Sequence, residues 1–282
     1  MANEPSSQHN ITEVLDELKR VVEDEQRLFG DVLFFEEPQQ SRNPIERPVL
    51  TTMTPSPKPI EYAVSAKKQV VSEEPLLFDL PEPPKPPITT EAWGSSTSLD
   101  ALNKQICSCV KCQLGYTRTK FVFGVGNPTA TLMLIGEAPG ADEDAQGEPF
   151  VGKAGQLLNK ILEAIHFKRE DVYICNILKC RPPNNRKPAP EESEMCKPYL
   201  KKQIELVKPK VILCLGLTAA ENLLGTKESM GSLRGRVLQY EGVPVMITYH
   251  PAALLRNPNW KRPAWEDVQA VRKLHDELVG KN

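Results

Sequence analysis

The chain has 282 residues and a formal net charge of −2, enough for one or two folded domains. Residues 1–98 carry 9 Lys+Arg against 17 Asp+Glu, a balance of −8, and residues 99–282 carry 26 against 20, a balance of +6 that permits a polyanionic partner. No apolar run approaches the ~20 residues of a membrane span and no leader pattern follows Met1, so no membrane is involved and a cytoplasmic chain is expected.

Asn10 can cap a helix, with Glu13 as its capping-box partner. Ile11, Leu15, Leu18, Val22 and Leu28 then repeat at helical spacing until Gly30, which suits a C-terminal stop. An isolated helix of about five turns is marginal in water. Its apolar stripe, over 11–29, is therefore expected to pack on a protein partner or on a second copy of the chain. Residues 31–95 read as linker. They hold 12 of the 26 prolines, and Pro81-Glu82-Pro83-Pro84-Lys85-Pro86-Pro87 suits extended polyproline II. Such a stretch buries too little apolar surface to offset its ordering entropy. The first 95 residues thus form a disordered N-terminal extension carrying one amphipathic helix at 1–30.

A folded domain is expected over 96–282. Ser98 or Asp100 can cap a helix that carries Leu99, Leu102 and Ile106. A strand pair is expected around Phe121-Val122-Phe123-Gly124. Leu132-Met133-Leu134-Ile135 suits a strand buried on both faces, and it stops at the turn Gly136-Glu137-Ala138-Pro139-Gly140. Residues 154–166 form an amphipathic helix, with Leu157, Leu158, Ile161, Leu162 and Ile165 on one face. Residues 172–177, 211–216 and 243–248 supply three more strands. Helices lie between them at 190–207, which Pro198 should kink or restart, and at 218–224. A last helix follows Pro263. This alternation specifies an α/β fold, a three-layer α/β/α arrangement around a mostly parallel four-stranded sheet.

In open parallel sheets, ligands bind outside the carboxyl ends of the strands. Glu137, Asn176, Gly216 and His250 stand at those ends. They place a carboxylate, an amide and an imidazole along one rim, with Phe150 as an aromatic face nearby. The turn after the first strand lacks Gly-x-Gly-x-x-Gly, so it is not a dinucleotide fingerprint. Without an export signal the 7 Cys suit metal ligation or burial better than disulfides. Cys175 and Cys214 sit inside apolar strands as small hydrophobes. Cys109-x-x-Cys112, Cys180 and Cys196 lie on polar, irregular sequence and suit zinc or an iron–sulfur cluster. The 15 residues between Cys180 and Cys196 lean away from a zinc ribbon but leave both readings open.

Four motifs then stand in order. They are Gly136-Glu137-Ala138-Pro139-Gly140, Pro149-Phe150-Val151-Gly152-Lys153-Ala154-Gly155, Asn176-Ile177-Leu178-Lys179-Cys180-Arg181-Pro182-Pro183 and His250-Pro251-Ala252-Ala253-Leu254. On them, residues 99–279 resemble the family 4 uracil-DNA glycosylases, the bacterial and archaeal iron–sulfur type. The resemblance implies a DNA repair hydrolase acting on uracil-containing DNA, single- or double-stranded. It would flip uracil out of the stack and hydrolyse its N-glycosidic bond, leaving an abasic site. Glu137 and His250 would be catalytic: Glu137 would serve the water and the cationic sugar, and His250 the departing uracil anion. Gly136, Ala138, Glu143, Phe150 and Asn176 would bind uracil. Phe150 would stack on the ring, and Asn176 would donate to O4 and accept from N3–H, a pattern that cytosine reverses. Glu143 is the second carboxylate near the pocket. Leu254 or Leu255 would wedge into the base stack. Arg256, Arg186, Lys179, Arg181 and Lys187 would contact phosphates. Cys109, Cys112, Cys180 and Cys196 would hold a [4Fe–4S] cluster that staples 107–112 to 180–196. The alternative is a catalytically inactive iron–sulfur DNA-binding protein. That reading predicts a missing carboxylate or His at the rim, and neither is missing.

Overall fold

The computed structural model describes residues 92–280. The helix expected at 11–29 and the linker up to residue 91 lie outside these residues. The domain starts earlier than its expected boundary at residue 96. Ala92–Ser95 already form a 3-10 turn, and the Trp93 ring packs edge-on against Tyr199. One aromatic residue at the end of a Pro-rich tract is too weak a signal to show this.

The strands are β1 (Val125–Gly126), β2 (Leu132–Gly136), β3 (Tyr173–Asn176), β4 (Val211–Leu215), β5 (Leu238–Tyr240) and β6 (Val243–Thr248). Their order is β1-β3-β2-β4-β6-β5. The four expected strands form the parallel centre. Two short antiparallel edge strands extend the sheet from four to six. The strand pair expected around 121–124 is not formed; a single short strand, β1, follows it and pairs with β3. Val122 lies outside the sheet, its N–H donating to the Lys179 carbonyl at 2.9 Å.

The helices are α1 (Leu99–Ile106), α2 (Leu114–Thr117), α3 (Ala141–Gln146), α4 (Lys153–Ala164), α5 (Pro190–Val207), α6 (Leu217–Leu224), α7 (Met230–Leu233), α8 (Pro251–Arg256) and α9 (Lys261–Val279). Ser98 caps α1, its hydroxyl accepting from the Ala101 N–H. Pro198 neither ends nor restarts α5. It lies on the exposed side, where the carbonyl it leaves without a partner can meet water.

Successive residues of a strand point to opposite faces, and β2 buries both. Leu132 and Leu134 join Leu158, Leu162, Trp265 and Val268 of α4 and α9. Met133 and Ile135 join Leu102, Leu200, Ile204 and Ala220 of α1, α5 and α6. The chain runs from β2 outward to β3 through α4, then back past β2 to β4 through α5. The two connections therefore cover opposite faces, and the carboxyl ends of the strands open between them. The register levels those ends: Gly136 pairs with Asn176, and Leu215 with Thr248.

Candidate active site

A cavity of about 340 Å³ opens at this rim, at the small end for ligand sites. Glu137, Ala138, Gly140, Phe150, Asn176 and His250 line it, with Glu143, Arg186 and Arg256. Of the residues expected at the strand ends, Glu137, Asn176 and His250 meet in this pocket; Gly216 does not line it but backs His250. Gly136 lies directly behind it. A Cβ there would collide with Asn176 Oδ1 and the Phe150 ring, so only glycine lets the amide and the ring approach β2.

Asn176 is 2% exposed, and its side-chain Oδ1 has no protein partner. A buried amide oxygen left unpaired costs free energy, so it marks a place where a ligand donor fits. Phe150 has φ +54, an uncommon backbone conformation for a bulky residue. Four hydrogen bonds tie down its loop and the turn beside it. Glu143 Oε1 accepts from the Val151 N–H (3.0 Å) and the Gly152 N–H (3.1 Å). Glu143 Oε2 accepts from the Gly140 N–H at 3.0 Å. From the other side, Arg169 Nη2 donates to the Pro149 carbonyl at 2.6 Å. Glu143 is thus consumed in joining two loops. Glu137 lines the cavity, and its carboxylate takes no hydrogen bond among the described residues.

His250 stacks on Phe150, with ring centroids 5.4 Å apart. Its Nδ1 accepts from the Ala252 N–H at 3.2 Å, capping α8. In the neutral ring the proton therefore sits on Nε2, the free donor. Burial, then Arg256, pulls the imidazole pKa down to about 4 against the opposing pull of Glu143. The ring is neutral near pH 7, a donor rather than a cation.

Residues 123–269 match the family model for the uracil DNA glycosylase superfamily. The chain belongs to that superfamily. It is similar to the type-4 uracil-DNA glycosylase of Archaeoglobus fulgidus, 46% identical over 192 residues, 65% of this chain and 94% of the relative. It is 42% identical over 180 residues to the type-4 enzyme of Thermotoga maritima, 62% of this chain and 94% of the relative. A type-5 enzyme of Thermus thermophilus aligns over 116 residues at 34%, covering 52% of that relative.

Within this superfamily member, five expected DNA contacts are engaged within the fold. Leu254 is 1% exposed and packs in the core with Leu158 and Val268, whereas Leu255 is 49% exposed. Lys179 is fully buried, its Nζ donating to the Asn176 carbonyl at 2.7 Å, and cannot reach a phosphate. Arg186 lines the cavity but is held by both Glu192 carboxylate oxygens, at 2.9 and 2.6 Å. Lys187 pairs with Glu221 at 2.7 Å, and Arg181 donates to Asn185. Arg256 remains at the cavity rim. Pro182 and Asn185 also line the cavity and were not expected there. The Pro-Pro-Asn-Asn turn that carries them was a readable turn signal.

Cys109, Cys112, Cys180 and Cys196 neighbour one another, and the sulfurs of Cys112, Cys180 and Cys196 feel the charge of others in the set. Arg118 Nη1 donates to Cys180 Sγ at 3.2 Å and to the Cys109 carbonyl. The Tyr199 hydroxyl donates to Cys109 Sγ at 3.3 Å. Burial pushes the Cys180 thiol up to about 11 and the Cys196 thiol up to about 12. Cys175 and Cys214 are buried in the strands as expected, and Cys107 is exposed. Among the described residues, no three ligating side chains close around a single metal ion. Arg118 and Tyr199 carried no sequence signal, because their partners are distant in the chain.

Proposed function

We propose that this cavity is where the protein, a uracil-DNA glycosylase acting in DNA repair, removes uracil from DNA. The observation that carries the assignment is the buried, unpartnered Oδ1 of Asn176, set in one cavity with a neutral imidazole donor and an unpaired carboxylate. A base inside a duplex is out of reach, so the nucleotide is flipped into the cavity. Phe150 stacks on the extruded ring. Asn176 Oδ1 accepts from uracil N3–H and its NH₂ donates to O4; cytosine offers an acceptor and a donor in those places. As the N-glycosidic bond stretches, negative charge builds on uracil and positive charge on the sugar. The Nε2–H of His250 donates to uracil O2, where the negative charge grows. Glu137 orients the attacking water and faces the cationic sugar. Glu143 positions Phe150 and Gly140 rather than touching the base. Incubation with a uracil-containing oligonucleotide, followed by alkali and a gel, tests the reading. An uncut strand would refute it.

We also propose that Cys109, Cys112, Cys180 and Cys196 bind a [4Fe–4S] cluster. The donor set fits: four neighbouring cysteines, with N–H and O–H donors and the Arg118 guanidinium bonded to their sulfurs, suit thiolates bound to a cationic group. The cluster would supply no electrons to a hydrolysis; it would tie the loop at 107–112 to Cys180 and α5. Iron and sulfide analysis of anaerobically prepared protein tests this, and stoichiometric zinc without iron would refute it.

Two predictions follow from the placement of α8 and His250. Leu255→Ala is expected to leave the melting temperature near wild type but to weaken excision from double-stranded DNA more than from single strands, because Leu255 is the exposed wedge. Leu254→Ala should instead cost about 2–5 kcal/mol of stability in a denaturant melt, as buried leucines do. Equal effects of both on duplex excision would remove the wedge role from Leu255. The pH–rate profile should show no inflection near the ordinary His value of about 6.5. Protonation of His250 fills Nδ1 and breaks the α8 cap, but only as pH falls toward about 4. Between those values the unfolded chain binds the extra proton, so the His250 contribution to stability rises with pH.

A further inference from the structure

Lys179 lies between the cavity and the four cysteines, at 0% exposure. Its Nζ makes one hydrogen bond among the described residues, to the Asn176 carbonyl at 2.7 Å. The next residue in the chain, Cys180, is one of the four cysteines and is itself buried. An ammonium removed from water with only a neutral carbonyl for a partner is costly. The cost falls where an anionic group adjoins it. Among the described residues no carboxylate bonds Lys179, and the cysteine thiol of residue 180 adjoins it in the chain.

The segment that carries Lys179 is short. β3 ends at Asn176, and the Ile177 and Leu178 N–H groups donate to the Gly136 and Glu137 carbonyls at 2.9 and 3.1 Å. Cys180 follows directly. One five-residue turn thus holds the base-reading amide at one end and a cluster sulfur at the other. It hangs on the backbone of the turn that presents Glu137. The Lys179 side chain bends back across it to close the turn.

We propose that Lys179 is a positioning residue with two roles: its ammonium clamps the 176–180 turn, fixing the Asn176 amide for uracil, and its charge offsets that of the iron-bearing cysteines. The second role rests on the cluster reading above; the first stands on the hydrogen bond. A lysine that only fills core volume would do neither.

The test compares full-length wild type, Lys179→Met and Lys179→Gln, all prepared anaerobically. Melting temperature, kcat and KM on a uracil oligonucleotide, and the rate of iron release to a chelator are measured. Lys179→Met removes both the donor and the charge. Its kcat is expected to fall about tenfold, the equivalent of one hydrogen bond, with KM little changed, and iron should leave severalfold faster. Lys179→Gln keeps a donor without the charge. It should recover kcat toward wild type while iron still leaves fast. Wild-type kcat in a folded Met variant would overturn the clamp. Wild-type iron release in both variants would overturn the charge role. Should the Met variant fail to fold, the Gln variant decides: kcat and iron loss that merely track a lowered melting temperature reduce Lys179 to packing. Wild-type protein without iron would sink the cluster reading and the charge role with it, and the kcat split would still decide the clamp.

Discussion

His250→Ala should bind uracil-containing DNA and keep its cysteine site, yet excise uracil about 10²–10³ times more slowly, the effect of losing one donor aimed at developing charge. In the proposed mechanism the uracil ring leaves as an anion, and the Nε2–H of His250 donates to it. The donor is neutral because burial holds the imidazole pKa near 4, so the enzyme need not desolvate a cation at each turnover. The substitution also removes the acceptor that caps α8 at Ala252, which costs about 1 kcal/mol of stability. Measuring single-turnover rates well below the melting temperature separates the two losses. A near wild-type rate would move the leaving-group donor elsewhere.

The rim was legible in the sequence because parallel strands carry a strong signal. Four buried apolar runs fixed four strands, and parallel strands present their carboxyl ends on one side. Glu137, Asn176 and His250 each follow such a run directly. Level register then brings them together, as the pairing of Gly136 with Asn176 shows. The edge strands were illegible for the opposite reason: two or three residues hold no period. Leu254 and Leu255 show another limit. Neighbours on a helix point about 100° apart, so which one meets the core depends on how α8 docks. Lys179 sits in Lys179-Cys180-Arg181, which reads as basic surface. Only the backward bend of its turn buries it. Arg186 likewise looked free until the fold set Glu192 opposite its guanidinium. Local pattern thus found the chemistry, and tertiary packing decided which charges remained available for DNA.

Glu137→Gln and Glu143→Gln together decide which carboxylate serves the water. Glu137→Gln keeps size and shape but removes the charge facing the sugar and the acceptor for a water proton. General acid–base groups contribute about 10²–10⁴ in rate, so excision should fall by that order while the melting temperature stays unchanged. Glu143→Gln should behave differently. Its two oxygens accept from Gly140, Val151 and Gly152, and an amide NH₂ cannot accept where a carboxylate oxygen did. At least one backbone N–H then loses its partner, at about 1–3 kcal/mol for a buried group. The melting temperature should drop, and Phe150 should stack less well, raising KM more than it lowers kcat. The decisive comparison is kcat in both variants at a temperature where both are folded. A Glu137→Gln enzyme at wild-type kcat, beside a Glu143→Gln enzyme that has lost it, would transfer the water to Glu143 and make Glu137 a bystander at the rim.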